Sequence, residues 1–274
     1  MSRPPVTAAP RIARRVHGTA SAARMVPEEV PVAFSYGGTT HAVMMATPAD
    51  LEDFALGFSL TEGIVASAGE IEGISVEDAG EGIDIQIALA GEPGARFRAR
   101  RRHLAGPVGC GLCGIESIEE ALYRARDVGA APLTLSAADI VRSVRQLAAR
   151  QALHAETGAV HAAGFYLPES GILTVREDVG RHNALDKLAG ALARAGVDGS
   201  TGAVVVTSRV SVEMVQKAAA IGAPAIVAVS APTALAIRMA DEAGMMLVAL
   251  VRGDEFDVFT HARRLVEGKA RNVA

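Results

Sequence analysis

The sequence predicts an α/β fold: a small α+β unit followed by a three-layer α/β unit whose helices pack on both faces of a sheet. Three observations predict it. After residue 200, the short apolar segments 203–207, 225–229 and 245–251 alternate with helical spacings at 212–221 and 233–243, the pattern of parallel strands joined by crossover helices. Before residue 130, alternation of period two dominates, as in Ile83-Asp84-Ile85-Gln86-Ile87. Between the two, Gly129-Ala130-Ala131-Pro132 marks a boundary. The expected organisation is a mobile basic tail (1–28), a small α+β domain (29–132) and a larger α/β domain (133–274).

Each element follows from its residues. Residues 1–28 are rich in Ala, Pro, Arg and Ser without apolar periodicity, which reads as a mobile tail. Segments 30–34 and 39–46 flank Gly37-Gly38 and predict a hairpin. Thr47 stands as an N-capping residue before Pro48, and Leu51, Phe54, Ala55, Phe58 and Leu60 follow at helical spacing until Gly63. Residues 71–76, 83–89 and 95–100 read as strands and 115–126 as an amphipathic helix. Ser136 caps a long helix expected from Ala137 to about His154. A strand pair at 159–167 and 172–175 and a helix at 181–195 then lead into the alternating segment.

The chain has 274 residues, 50% hydrophobic and 21% charged, with net charge −4. Such a composition can bury a sizeable core and excludes disorder over most of the length. The longest apolar runs, 225–229 and 245–251, fall far short of the roughly 20 residues a membrane helix needs. Arg3, Arg11, Arg14, Arg15 and Arg24 are not followed by the apolar stretch of an export signal. A cytoplasmic protein with no membrane segment is expected. The acidic balance also argues against non-specific nucleic-acid binding, so an anionic ligand must be met by a local cluster.

Only two cysteines occur, in Gly109-Cys110-Gly111-Leu112-Cys113-Gly114, too few for a disulfide framework. The glycines remove bulk around the thiols and permit unusual backbone angles. A helix beginning near Ile115 would favour thiolate, while Glu116, Glu119 and Glu120 oppose it. Redox or sulfur-transfer chemistry, a metal site and a buried pair all remain open at this point. A zinc site would have to recruit histidine. His154-Ala155-Glu156 has the H-x-E form of zinc deaminases, but the motif order is reversed and two residues separate Pro107 from Cys110. Upstream, Arg96, Arg98 and Arg100 would share one strand face, either as a positive ridge or as protection of an edge strand.

In open α/β sheets ligands bind beyond the carboxyl ends of the strands. Those ends are Ser208-Arg209-Val210-Ser211, Ser230-Ala231-Pro232-Thr233 and Arg252-Gly253-Asp254. Hydroxyls at helix starts and two guanidiniums suit phosphate oxygens. The hydroxyls also fit ordinary helix caps, but capping does not explain Arg209 and Arg252. At the start of another helix, Asp178, Arg181, His182 and Asn183 are either ligand contacts or a cap with internal ion pairs. His161 reads as a hydrogen-bonded core histidine and Lys217 as a weaker ligand candidate. No complete Walker or dinucleotide motif supports nucleotide hydrolysis.

Six segments carry a resemblance: LGFSLTEGI (56–64), CGLCG (110–114), TGAVHAAGF (157–165), REDVGRHNALDK (176–187), TSRVSVEMVQKAA (207–219) and VSAPTALA (229–236). In this order the sequence resembles the formate dehydrogenase accessory sulfurtransferases of the FdhD/NarQ family. The resemblance implies a two-domain protein, usually a homodimer, whose larger domain has a cytidine-deaminase-like fold without deaminase chemistry. It implies a sulfur carrier that accepts sulfur from a cysteine desulfurase as a persulfide on Cys110, with Cys113 as auxiliary thiol. The acceptor it implies is the bis-molybdopterin guanine dinucleotide form of the molybdenum cofactor, before insertion into formate dehydrogenase; no resident metal is implied. Leu250, Val251, Arg252, Gly253, Asp254 and Glu255 correspond to the family's cofactor segment. Ser208, Arg209, Ser230, Asp178, Arg181, His182 and Asn183 are expected to join them. Asp254, Glu255 and Asp257 depart from the neutral or basic residues of the family pattern, and would repel a pyrophosphate unless they point away or meet guanine N–H groups. Two alternatives stand beside this reading: a zinc hydrolase using Cys110, Cys113 and His154 with Glu156 as proton carrier, and a non-catalytic cofactor chaperone.

Overall fold

Period-two alternation builds the first sheet. In the computed structural model, which describes residues 3–91 and 124–267, β3 (Val30–Tyr36), β4 (Thr39–Ala46), β5 (Ile71–Ala79) and β6 (Gly82–Leu89) lie in the order β4-β3-β6-β5. Val32, Phe34, Ile83, Ile85 and Ile87 form one core with Phe54 and Phe58 of α1 (Leu51–Thr61). Phe34 meets Phe54 edge-on and stacks on Phe58. Gly37 and Gly38, both at positive φ, make the expected turn. The start of α1 differs from expectation: Asp50, at φ 52, precedes the helix and no side chain caps it. Thr47 is held elsewhere, its N–H donating to Asp178 and its carbonyl accepting from Lys187 Nζ.

The second sheet has six strands in the order β13-β12-β11-β10-β8-β9. They are β8 (His161–Leu167), β9 (Gly171–Asp178), β10 (Ala203–Val206), β11 (Ala225–Ala228), β12 (Met246–Arg252) and β13 (Glu255–Thr260). β10, β11 and β12 run parallel as expected, and β8 is antiparallel to both β9 and β10. The antiparallel edge strand β13 was not anticipated; its alternating Glu255, Asp257 and Phe259 are exposed.

Helices α4 (Arg181–Arg194), α5 (Val212–Ile221) and α6 (Ala234–Glu242) cover one face, where Leu185, Met214 and Ala236 pack against Phe165, Val204 and Leu247. On the other face Ile140 and Leu147 of α2 (Ala137–Ala149) pack against Tyr166, Val205 and Val248. Just before α2, β7 (Leu135–Ser136) pairs parallel with β14 (Leu265–Val266), and Ser136 makes a capping box with Asp139. The long helix expected to His154 stops at Arg150 and resumes as α3 (Ala152–Thr157). Glu177 accepts from the amides of Leu153 and His154 at 2.8 and 2.9 Å, satisfying the first turn of α3.

The amino-terminal segment differs from expectation. Residues expected as a mobile tail form a ribbon, in which β1 (Val6–Arg15) and β2 (Gly18–Pro27) pair antiparallel along their full length. The ribbon buries almost none of its surface, so no apolar alternation announced it. Val128 lies in the core under α4, α5 and α6, and Arg264 donates to the carbonyls of Val128, Gly129, Ala131 and Leu133. The strand at 95–100 with its arginine ridge, and the expected helix as far as residue 123, lie outside the described residues.

The two units meet where α1 crosses α4. A Cβ on Gly57 would overlap the Asp186 carbonyl, and one on Gly190 the Asp53 carbonyl, so glycine inside both helices permits backbone contact. Charges are buried in this junction. Lys187 Nζ lies 2.6 Å from Asp178 with both side chains fully buried. Lys217 Nζ lies 2.8 Å from Asp186 and 2.6 Å from Glu62. Burial works against the Lys217 charge, but Asp186 and Glu62 outweigh it and hold the ammonium ionised. Arg176 closes on Asp53 of α1 at 2.6 Å.

Candidate functional site

Parallel crossovers bring the carboxyl ends of β9, β10, β11 and β12 and the amino ends of α4, α5 and α6 to one edge of the sheet. The loops there are joined by backbone hydrogen bonds: Val210 N–H to the Ala231 carbonyl at 3.2 Å, Thr233 N–H to Val210 at 3.0 Å, and Leu250 N–H to Ser230 at 3.3 Å. At the start of α4, His182 Nε2 lies 3.0 Å from Glu213 Oε2 and 3.5 Å from Ser211 Oγ. The structure therefore brings His182, Ser211, Ser230 and Leu250 into one continuous rim.

Most of the rim hydroxyls are not helix caps. Ser211 Oγ donates to Glu213 at 3.1 Å, and the buried Ser208 donates to the Arg209 carbonyl at 3.0 Å. Thr233 does cap, accepting from the Ala236 N–H at 3.2 Å. The amino ends of α4 and α5 carry no side-chain cap, so their first amides suit an anion. Arg209 and Arg252 are exposed. Arg181 is half-buried, and among the described residues its buried Nε has no hydrogen-bond partner. Burial first, then the Arg181 charge, hold His161 and His182 below the ordinary imidazole range; Glu213 opposes this at His182.

The last strand end is bent out of its ladder. Leu250 has φ 58, unusual for a branched side chain, and the pairing of β12 with β13 is bulged between Ala249 and Arg252. Gly253, at φ 62, completes the turn. Val251 is buried in the core under α2, so it has only backbone to offer a ligand. Asp254 pairs with Arg145 of α2 at 2.6 Å, which draws that carboxylate toward α2; Glu255 and Asp257 remain exposed.

Two expected ligand contacts are internal instead. Asp178 is fully buried, accepting from Thr47 N–H, Lys187 Nζ, Gly180 N–H and Asn183 Nδ2. Asn183 also donates to the Met45 carbonyl at 2.8 Å. Asp178 is satisfied by Lys187, Gly180 and Asn183 of its own unit together with Thr47 of the small unit, and Lys217 is withdrawn into the junction by Glu62 and Asp186. Arg181 and His182 keep partly exposed side chains at the rim. Glu213 joins the site without having been anticipated; its signal was an acidic residue two positions after Ser211. Cys110 and Cys113 lie outside the described residues. His154 and Glu156 are exposed on α3, with His154 Nδ1 3.2 Å from the Val160 carbonyl.

The model of the FdhD/NarQ family matches residues 27–266. The chain belongs to the FdhD/NarQ family. Among FdhD/NarQ relatives, the sulfur carrier protein FdhD of Agrobacterium fabrum is 59% identical over 256 residues, covering 93% of this chain and 94% of the relative. The sulfur carrier protein FdhD of Brucella abortus is 57% identical, covering 93% and 95%. A crystal structure of a protein described as a formate dehydrogenase accessory protein, from Desulfotalea psychrophila, aligns with a TM-score of 0.76 at 26% identity, covering 96% of this chain and 100% of that one. The FdhD/NarQ match spans both sheets and the rim, and begins at the last residue of the ribbon.

Proposed function

We propose that this chain is a sulfur carrier serving a formate dehydrogenase. It takes sulfur from a cysteine desulfurase as a persulfide on Cys110 and passes it to the molybdenum bis-molybdopterin guanine dinucleotide cofactor docked at the rim. One observation carries the reading: relatives named sulfur carrier protein match at up to 59% identity over 93% of the chain. The rim supports the acceptor half. Arg209, Arg252 and Arg181 supply guanidiniums for pyrophosphate oxygens, the starts of α4 and α5 supply amides, and Glu255 can accept from guanine N–H groups.

In the donor step the Cys110 thiolate attacks the outer sulfur of the donor's persulfide. The donor's sulfur–sulfur bond breaks, its thiolate leaves, and Cys110 holds the sulfur with no net oxidation. Cys113 serves as auxiliary thiol. Self-association and action in the cytoplasm belong to the same reading; among the described residues no helix is long and apolar enough to cross a membrane.

Incubation with a cysteine desulfurase and cysteine should add one sulfur to the Cys110 peptide by mass spectrometry, and Cys110→Ala should remove that addition. A wild-type peptide that gains no sulfur overturns the reading. Full maturation of formate dehydrogenase by a variant lacking both cysteines would select the chaperone role instead.

A further inference from the structure

We propose that the ribbon β1–β2 is the surface through which two copies of this chain associate, each laying its ribbon along the outer strand β5 of the other. The inference rests on the self-association proposed above and is independent of the sulfur chemistry.

The ribbon is built to be covered. Five arginines and no carboxylate precede Glu28, so the net −4 of the whole chain leaves −9 on the remainder. Among the described residues Arg11, Arg14, Arg15 and Arg24 make no ion pair with a carboxylate. Ile12 is 77% exposed and Val16 96%. An open concavity of about 660 Å³ runs along the ribbon, lined by Ala8, Pro10, Ile12, Ala22 and Ala23 together with the polar Arg11 and Ser21. Its root is tied to the body by Arg24, which donates to the Thr157 carbonyl, and by Arg3. A two-stranded hairpin is marginal in water by itself, so strands of ten residues with an apolar concavity call for a third partner.

β5 has the complementary character. Among the described residues it is an outer strand, paired with β6 alone. Glu72, Glu77, Asp78 and the adjoining Glu81 are exposed, and Val76 is 42% exposed between them. The other outer strand, β4, carries no carboxylate. Arg3 shows that this turn accepts an arginine: it donates to the carbonyls of Gly80 and Glu81 and lies 3.6 Å from Asp78. Ten-residue and nine-residue strands span about 33 and 30 Å, so the two edges match in length. Edge pairing would satisfy backbone groups on both strands. Like charge opposes ribbon on ribbon and β5 on β5, which leaves the reciprocal arrangement, two identical contacts about a two-fold axis.

The test is sedimentation of the full chain with charge reversals. The wild type should be a dimer at low ionic strength and dissociate as salt rises. Arg14→Glu/Arg15→Glu and, separately, Glu72→Lys/Glu77→Lys should each be monomeric. Their equimolar mixture should recover the dimer, because every contact then again joins opposite charges; this recovery also shows that both variants are folded. A dimer that survives either reversal, or a mixture that stays monomeric, overturns the interface while leaving self-association in place. A monomeric wild type overturns both, and leaves persulfide loading of Cys110 untouched.

Discussion

Arg181 acts on the rim through two histidines. Burial and the Arg181 charge hold His161 and His182 below the ordinary imidazole range, whereas unfolded histidines titrate near ~6.5. Below that pH the unfolded chain therefore binds more protons than the folded one, and stability falls as pH drops from ~6.5 toward the folded values. Urea midpoints of His161→Gln/His182→Gln should vary less than wild type over that interval; superimposable profiles would show that neither histidine contributes. Residue identity alone could not assign these roles. Asp178, Arg181, His182 and Asn183 share one short segment, yet Asp178 and Asn183 turn inward while Arg181 and His182 stay partly in solvent.

At the scale of elements, the crossing of α1 and α4 is the contact least tolerant of change. Alanine is favoured over glycine inside a helix by about 1 kcal/mol, so Gly57→Ala should stabilise α1 taken alone. In the folded chain its Cβ would overlap the Asp186 carbonyl, and the helices must separate at a cost of about 1–3 kcal/mol or more. Denaturant unfolding should show net destabilisation for Gly57→Ala, with Gly69→Ala, whose Cβ would meet nothing nearer than Ser67 Oγ at 3.9 Å, as the near-neutral control. A neutral Gly57→Ala would mean that the helices do not touch at this point. Element boundaries were legible where periodicity was strong: α5 occupies the 212–221 span read from spacing alone. They failed where a distant residue decides. Glu177 restarts α3 after the break at Arg150, and the ribbon has no buried face to impose a pattern.

For the whole molecule, the rim is the meeting point of four strand ends and three helix starts, and its charge is what an anionic nucleotide would sense. Charge-assisted hydrogen bonds contribute about 1.5–3 kcal/mol. Arg209→Ala and Arg252→Ala should therefore each weaken guanosine diphosphate binding by roughly tenfold to a hundredfold, with a shallower salt dependence, measured by calorimetry. Unchanged affinity in both variants would remove the rim from the proposed function. Asp254→Ala should have a small effect, since Arg145 already holds that exposed carboxylate.

By itself the sequence determined the layering, the parallel strands and the edge where their carboxyl ends gather, because side-chain period is local and strand ends follow from chain order. Only the tertiary structure decided which charges at that edge stay free. Lys187, Asp178 and Lys217 became internal when α1 crossed α4 at Gly57 and Gly190. A charge's partner depends on which distant segment covers it, and that is a property of packing rather than of spacing along the chain.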